Sequence, residues 1–335
     1  MSRILKICLV LLVLISAAVW AQNNEEVLQA FQKNFVRANL TTKIQVLQDA
    51  SVQQQVDMGP LYHQALDFII DNARHFANDL AARELAVLSV RLIGISGYEQ
   101  ALSSLWELFA LDDNTTIRIE VLNSFGNLTP ADPQIVKNLN NWLAGQNDLL
   151  RIGEEVDSKV VEEAVVALGY IGDDSSFPVL FTVSILGGSD EIDRKAREAL
   201  YSIEGDFREL ILRVIENNTP GEKLEALRIG LNDEDLSDGD KGDIAEISLG
   251  KGLYEPAGQS MDKEFLRQIR YESIRTLTNL SWSSATDDVI AHFDLTLQEK
   301  VLGIGRTTHV LEAIQCLGSM NTHEAAVRLA LYLDL

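Results

Sequence analysis

The sequence predicts an all-α fold made of repeated helical pairs, and three observations lead to this prediction. Apolar residues recur at the i, i+3, i+4, i+7 spacing that places them on one face of a helix. These stripes come in pairs, and the pairs recur at intervals of 32 to 43 residues from about residue 41 to residue 333. No stretch combines sustained period-two alternation with turn signals, so we expect almost no strand.

One pair, at residues 161–185, shows the layout most clearly. Gly169 follows the first stripe, and we expect it to end the first helix in the left-handed conformation. Residues 173–176 supply side-chain oxygens that can cap the second helix, and Pro178 suits its first turn because no N–H is needed there. The first stripe is Val161, Ala164, Val165 and Leu168, and the second is Phe177, Leu180, Phe181 and Ile185.

The same layout recurs along the chain. Each hairpin has too much apolar surface to bury alone, so stacking of neighbours into an α-solenoid is the expected solution. The other copies lie, in chain order, at residues 41–76, 86–109, 121–143, 196–215, 224–253, 277–293 and 310–333.

Three boundaries follow from this pattern. Residues 22–40 are predicted to form a lead-in helix, and residues 41–335 the repeat array. The acidic stretch NDEDLSDGDKGD, residues 232–243, interrupts one copy of the repeat. We therefore place an acidic interruption of the array at 232–262.

The stretch EEAVVALGYIGDDSSFPVL, residues 162–180, resembles a HEAT repeat, and LEAIQCLGSMNTHEAAVRLAL, residues 311–331, is similar to the same pattern. In the second stretch Ser319, Met320 and Asn321 replace the usual Ile-Gly-Asp. This resemblance to the HEAT-like, armadillo-type solenoids implies a right-handed α-α superhelix of about seven helical hairpins. It further implies a scaffold for protein–protein interaction, with the second helices lining the concave surface.

The N-terminus, residues 1–21, predicts a signal peptide. A basic start precedes an apolar run at residues 7–15, and Val19 and Ala21 are the small residues that mark a cleavage site. The run is too short to span a membrane, although an uncleaved anchor is the alternative. We expect an exported protein with no membrane span after signal removal, in the periplasm of a bacterium or, alternatively, outside the cell.

The charge balance restricts the partners. The chain has 50 acidic against 28 basic residues and a formal net charge of −22. Nucleic-acid binding depends on Lys and Arg that neutralise phosphates, and anionic lipid surfaces need the same residues. We therefore expect no nucleic-acid partner and a protein partner instead.

Motifs of common catalytic sites are absent from the sequence. It contains no G-x-S-x-G, P-loop, H-E-x-x-H or C-x-x-C motif.

Removal of the signal peptide removes Cys8. Cys316 lies on an apolar stripe, so we expect it to be a small core residue. We expect no cofactor. The five histidines are each expected to be partly exposed helix residues: His63, His75, His292, His309 and His323.

The acidic stretch at residues 232–243 suggests a calcium site, because it places many carboxylate oxygens, which calcium prefers as ligands, close together in the sequence. The candidate ligands are Asp233, Asp235, Asp238 and Asp240. An EF-hand register fails, since Asp238 occupies the sixth position, where that loop needs glycine. A solvated acidic loop and a protein-docking segment are the alternatives.

Two tryptophans, Trp106 and Trp142, fall on the second helices of adjacent pairs. Each is either an exposed anchor for a partner or a member of the buried stripe.

We conclude that the sequence predicts an exported interaction scaffold without catalysis. The alternatives are a calcium-binding module built on residues 232–243 and a small-ligand enzyme of the lyase type found among HEAT-like proteins.

Overall fold

A computed structural model describes residues 24–76, 79–128, 132–186 and 188–333, so the predicted signal peptide lies outside the described residues. Within these ranges every regular element is helical and no strand occurs, which confirms the all-α prediction. The helices are α1 (residues 24–37), α2 (Leu40–Ser51), α3 (Gly59–Asp71), α4 (Ala73–Phe76), α5 (Leu80–Ser96), α6 (Leu102–Leu111), α7 (Thr115–Asn127), α8 (Pro133–Arg151), α9 (Ser158–Ile171), α10 (Phe177–Leu186), α11 (Asp190–Ser202), α12 (Phe207–Asn217), α13 (Pro220–Asn232), α14 (Asp238–Tyr254), α15 (Ser260–Leu280), α16 (Thr286–Val301), α17 (Thr307–Ser319) and α18 (His323–Leu333).

The chain divides into two compact units. The first consists of the described residues up to Ser176 together with Leu186–Ser202, and the second of Phe177–Ile185 together with the residues from Ile203 onward. In the first unit α5 packs against α3 and α7, α9 packs against α7 and α11, and α6 packs against α3 and α8. In the second unit α15 packs against α13 and α17, while α14 packs against α12 and α16. Apart from α3 and α6, each of these pairs joins a helix to the next helix but one along the chain.

The apolar stripes supply the core between these helices. Val161, Ala164, Val165 and Leu168, the first stripe of the clearest pair, are fully buried in α9. Three short 3₁₀ turns, Glu99–Ala101, Asp174–Ser176 and Ser283–Ala285, lead directly into α6, α10 and α16.

The end of α9 corrects one expectation. Gly169 lies inside the helix, and Gly172 is the residue that adopts the left-handed conformation, with φ +69°, where its N–H bonds to the Leu168 carbonyl. Gly97 plays the same part at the C-terminus of α5, with φ +69°, three residues after Gly94. The prediction failed because two glycines stand close together, and only one of them has the backbone that requires glycine.

The segment predicted as an acidic interruption, residues 232–262, is largely helical. After the five residues 233–237, α14 begins at Asp238. Ser237 and Asp240 form a capping box at its N-terminus, in which each side chain accepts a hydrogen bond from the other residue's backbone N–H. Acidic residues favour a helix start because they complement the positive end of its dipole.

Lys43 on α2 ties down the C-terminal end of α1. Its buried Nζ donates to the carbonyl oxygens of Phe35 and Val36 and lies 4.2 Å and 4.5 Å from the ring centroids of Phe35 and Phe68. Burial lowers the pKa of this lysine. A cation at a helix C-terminus satisfies carbonyls that the helix itself leaves unpaired.

None of the helices in the described ranges is long and apolar enough to cross a membrane.

Candidate interaction surface and polar clusters

Trp106 and Trp142, the predicted partner-binding residues, are brought together by a third aromatic ring. Trp106 on α6 stacks on Phe109, with ring centroids 5.4 Å apart. Trp142 on α8 meets Phe109 in a T-shaped arrangement, with centroids 5.2 Å apart. Phe109 is buried, whereas both indoles are partly exposed. We call these three residues the tryptophan cluster.

The tryptophan cluster lies on helices that carry few charges. Glu107 is the one charged residue of α6, and Lys137 is the one charged residue in positions 133–147 of α8. Low charge is shared with α10, which has no charged residue, but on α6 and α8 it coincides with partly exposed tryptophan. Depletion of charge around exposed tryptophan is typical of the core of a protein–protein interface.

The indole N–H groups distinguish this cluster from another tryptophan in the protein. Trp282 donates its Nε1–H to Glu246 Oε2 at 2.7 Å, and its ring lies where a Cβ on Gly242 would come within 2.5 Å. Trp282 is therefore held by its own fold. Across the described chain, neither Trp106 nor Trp142 has an acceptor for its N–H. A partly exposed indole with an available donor suits recognition of a partner.

Arg118 on α7 fixes the base of the tryptophan cluster. Its guanidinium carbon lies 5.2 Å from the Phe109 ring centroid. Its Nε donates to the Asp112 carbonyl at 2.8 Å, and its Nη2 pairs with Asp113 at 2.6 Å. These contacts hold the connection between α6 and α7, so Phe109 forms a rigid support for both indoles.

A second polar group on α3 and α6 has the residue types of a hydrolase triad but not its geometry. His63 Nε2 lies 2.9 Å from Ser104 Oγ, and Ser104 Oγ donates to Asp67 Oδ1 at 2.9 Å. Asp67 Oδ1 is also 3.4 Å from the same His63 Nε2. In a triad the carboxylate accepts from Nδ1 while Nε2 faces the serine. Both partners of His63 share one nitrogen, so the group is a polar link between two helices.

A buried ion pair joins α15 and α16 in the second unit. Arg270 is 3% exposed and Glu299 is 7% exposed, and Arg270 Nη2 donates to Glu299 Oε1. The Tyr271 hydroxyl donates to Glu299 Oε2 at 3.2 Å. Burial, and then the Glu299 charge, raises the pKa of Tyr271 to about 12, so the hydroxyl remains a donor. Arg267 Nε lies 3.7 Å from Glu299 Oε1 and adds a second cation.

Two histidines pack on Tyr271 beside this ion pair. His309 lies with its ring centroid 3.8 Å from that of Tyr271, and His292 lies 5.8 Å away. The expectation that every histidine is partly exposed is wrong for His292, which is fully buried. Burial first, and then the charges of Arg270 and His309, lowers the pKa of His292 to about 3. Burial also lowers the pKa of His309.

Sequence reasoning missed this buried group because its members are spread over 40 positions, from Arg270 to His309. Only the packing of α15, α16 and α17 brings them together. The one available signal was the i, i+4 pair His292 and Thr296, whose side chains lie 3.3 Å apart on the buried face of α16.

The four predicted calcium ligands are placed at the start of α14 and in the loop before it. Asp233 Oδ1 accepts from the N–H groups of Asp235 and Leu236, at 2.9 Å and 3.2 Å. Asp240 Oδ2 accepts from the Ser237 N–H and hydroxyl, and these bonds lower the pKa of Asp240. Among the described side chains, no set of three or more His, Cys, Asp or Glu could hold a metal ion. The calcium site, which also includes Asp238, stays a prediction.

Cys316 is buried on α17, in the core of the second unit. Burial raises the pKa of its thiol to about 11. A thiol that stays protonated is a poor nucleophile, so Cys316 serves packing.

Comparison with known proteins finds no protein-family model that matches this chain and no match among curated proteins.

Proposed function

We propose that the protein is an exported HEAT-like α-solenoid that binds a protein partner through the surface formed by α6 and α8. One observation carries this proposal: the tryptophan cluster presents two partly exposed indoles, with available N–H donors, on helices that hold few charges. Tryptophans in such settings account for much of the affinity of protein interfaces.

The solenoid arrangement is supported by the order of helix contacts within each unit. The serial packing of α3, α5, α7, α9 and α11, and that of α13, α15 and α17, is what stacked hairpins produce. The helices α5 to α18 supply seven consecutive pairs for the proposed right-handed superhelix. In that arrangement the second helices, α6 and α8 among them, line the concave surface.

In this proposal the protein binds its partner and catalyses no reaction. Phe109 and Arg118 hold the indoles in place before the partner arrives, so little side-chain freedom is lost on association. The partner needs an apolar or aromatic face with acceptors for the two N–H groups. No cofactor takes part in this proposal.

The partner and the surface can be tested together. The purified protein is immobilised, and the proteins it retains from an envelope extract are identified by mass spectrometry. The double variant Trp106→Ala/Trp142→Ala should lose the specific partner, and binding to that purified partner should weaken at least tenfold. Phe109 stays in place, so the fold should persist, which circular dichroism checks.

The matched control removes two exposed aromatic residues from another part of the same unit. Tyr170 and Tyr201 are 74% and 91% exposed, at the ends of α9 and α11. Tyr170→Ala/Tyr201→Ala should retain the partner fully. Equal retention by both double variants would show that the tryptophan cluster is not the binding surface.

The solenoid and the export route need separate tests. A compact domain of this length has a radius of gyration of about 20 Å. Small-angle scattering of an extended solenoid should give a clearly larger value, and a value near 20 Å would contradict the arrangement.

Export predicts a mature chain that begins at Gln22 and is recovered from the periplasm or medium, and N-terminal sequencing decides this.

A further inference from the structure

A cavity of about 470 Å³ lies in the first unit among α3, α4, α5, α6 and α7. Small-molecule sites are typically about 300–1,000 Å³, apolar for the most part, with a few polar groups that fix orientation. The walls of this cavity are largely apolar, and they include Ile69, Phe76, Ala86, Leu108, Leu111 and Ile117.

Two arginines, Arg74 and Arg83, also line the cavity. Neither guanidinium has a hydrogen-bond or ion-pair partner within the described part of the chain. Both side chains are accessible, since Arg74 is exposed and Arg83 is partly exposed. Two guanidiniums without a partner in the described chain therefore stand beside this largely apolar cavity.

The acidic residues of the cavity are already engaged. Asp113 pairs with Arg118 at 2.6 Å, and Asp112 Oδ1 accepts from the Asn114 N–H at 2.8 Å. If Arg118 is counted with Asp113, the three arginines exceed the two aspartates by one positive charge. A ligand with a single negative charge would therefore balance the site.

We propose that this cavity binds a small organic carboxylate with an apolar body. The carboxylate is held by Arg74 and Arg83, since a planar guanidinium matches two carboxylate oxygens at once. The apolar body lies against Leu108, Leu111 and Ile117. The two arginines would repel a cationic ligand. A neutral ligand would leave both guanidiniums without an ionic partner. The carboxylate site differs from the tryptophan cluster in the chemistry of the ligand that it would bind. The carboxylate proposal therefore does not depend on the proposed scaffold function.

The test uses octanoate as the probe, with octanamide and octylammonium as neutral and cationic analogues of equal chain length. Isothermal titration of the purified protein should show octanoate binding at least tenfold tighter than either analogue. Arg74→Gln and Arg83→Gln should each weaken octanoate binding about tenfold, because each removes one charged hydrogen-bond donor. Leu111→Ala, at a mostly exposed wall position, should weaken it less.

Arg197→Gln on α11 is the charge-matched control, because Arg197 is exposed and does not line the cavity. It should bind octanoate as the wild type does, and circular dichroism should show all variants folded. The proposal fails if octanamide binds as tightly as octanoate, or if the Arg74→Gln/Arg83→Gln double variant keeps full affinity. Absence of octanoate binding to the folded wild type would overturn it equally.

Discussion

Gly169 on α9 faces Ala199 on α11 so closely that a Cβ added to Gly169 would lie 2.8 Å from the Ala199 Cβ. Gly94 on α5 stands in the same relation to Ser124 on α7, where an added Cβ would lie 2.8 Å from the serine Oγ. The Ser202 hydroxyl donates to the Gly169 carbonyl at 2.8 Å and closes the α9–α11 contact with a hydrogen bond. Successive first helices of the first unit thus approach through small residues.

Gly169→Ala should therefore destabilise the protein, although alanine favours a helix over glycine. The added methyl group forces α9 and α11 apart, and overpacking of this kind costs about 1–3 kcal/mol. Urea unfolding measures the loss. Gly145→Ala is the matched control, since Gly145 is exposed within α8 and an added Cβ meets nothing within 4 Å. It should stabilise by about 0.5–1 kcal/mol. Effects of the same sign at both sites would contradict the close approach.

Glu299→Leu should cost about 3–5 kcal/mol, because it leaves the buried Arg270 guanidinium without its carboxylate. Chemical denaturation of the variant gives the value. Glu225→Gln breaks a surface pair with Arg228, in which both side chains are well exposed. That pair should be worth less than about 1 kcal/mol. A small loss at Glu299 would mean that Arg270 reaches solvent when its partner is removed.

The buried His292 predicts acid sensitivity. Its pKa falls from 6.5 to about 3 on folding, so between these values the unfolded chain binds a proton that the folded chain does not. Stability is therefore fully present above about pH 6.5 and is lost as pH falls toward 3, at up to about 1.4 kcal/mol per pH unit. Urea midpoints from about pH 7 to pH 4.5 measure this. His292→Gln should flatten the dependence, whereas His323→Gln, at an exposed site, should not.

Calcium should leave the melting temperature unchanged, because Asp233 in the loop before α14 and Asp240 in its first turn already accept backbone hydrogen bonds. Differential scanning calorimetry with and without calcium tests this. The calcium-site hypothesis predicts the opposite result, a rise in melting temperature that disappears when Asp233, Asp235 and Asp240 become Asn. Ser237→Ala should destabilise by about 1 kcal/mol with or without calcium, since it removes the α14 cap.

Part of the tryptophan cluster was within reach of the sequence. The placement of Trp106 and Trp142 on consecutive second helices follows from the stripe pattern. Their partial exposure does not, because the same i, i+3, i+4 spacing serves a buried stripe. Phe109 decides the matter: it takes the buried position, and each indole then packs on its ring with one side toward solvent.

What the sequence by itself determined is local. Helical periodicity, capping residues and apolar stripes fix the all-α class and bury residues such as Val161 and Leu168, since burial of one helix face needs only the right spacing. The tertiary structure alone decided which glycine packs and which one caps, that Arg270 meets Glu299, and that Arg74 and Arg83 share one cavity. These relations join residues on different helices, and their distances depend on how the helices approach one another, which no local pattern encodes.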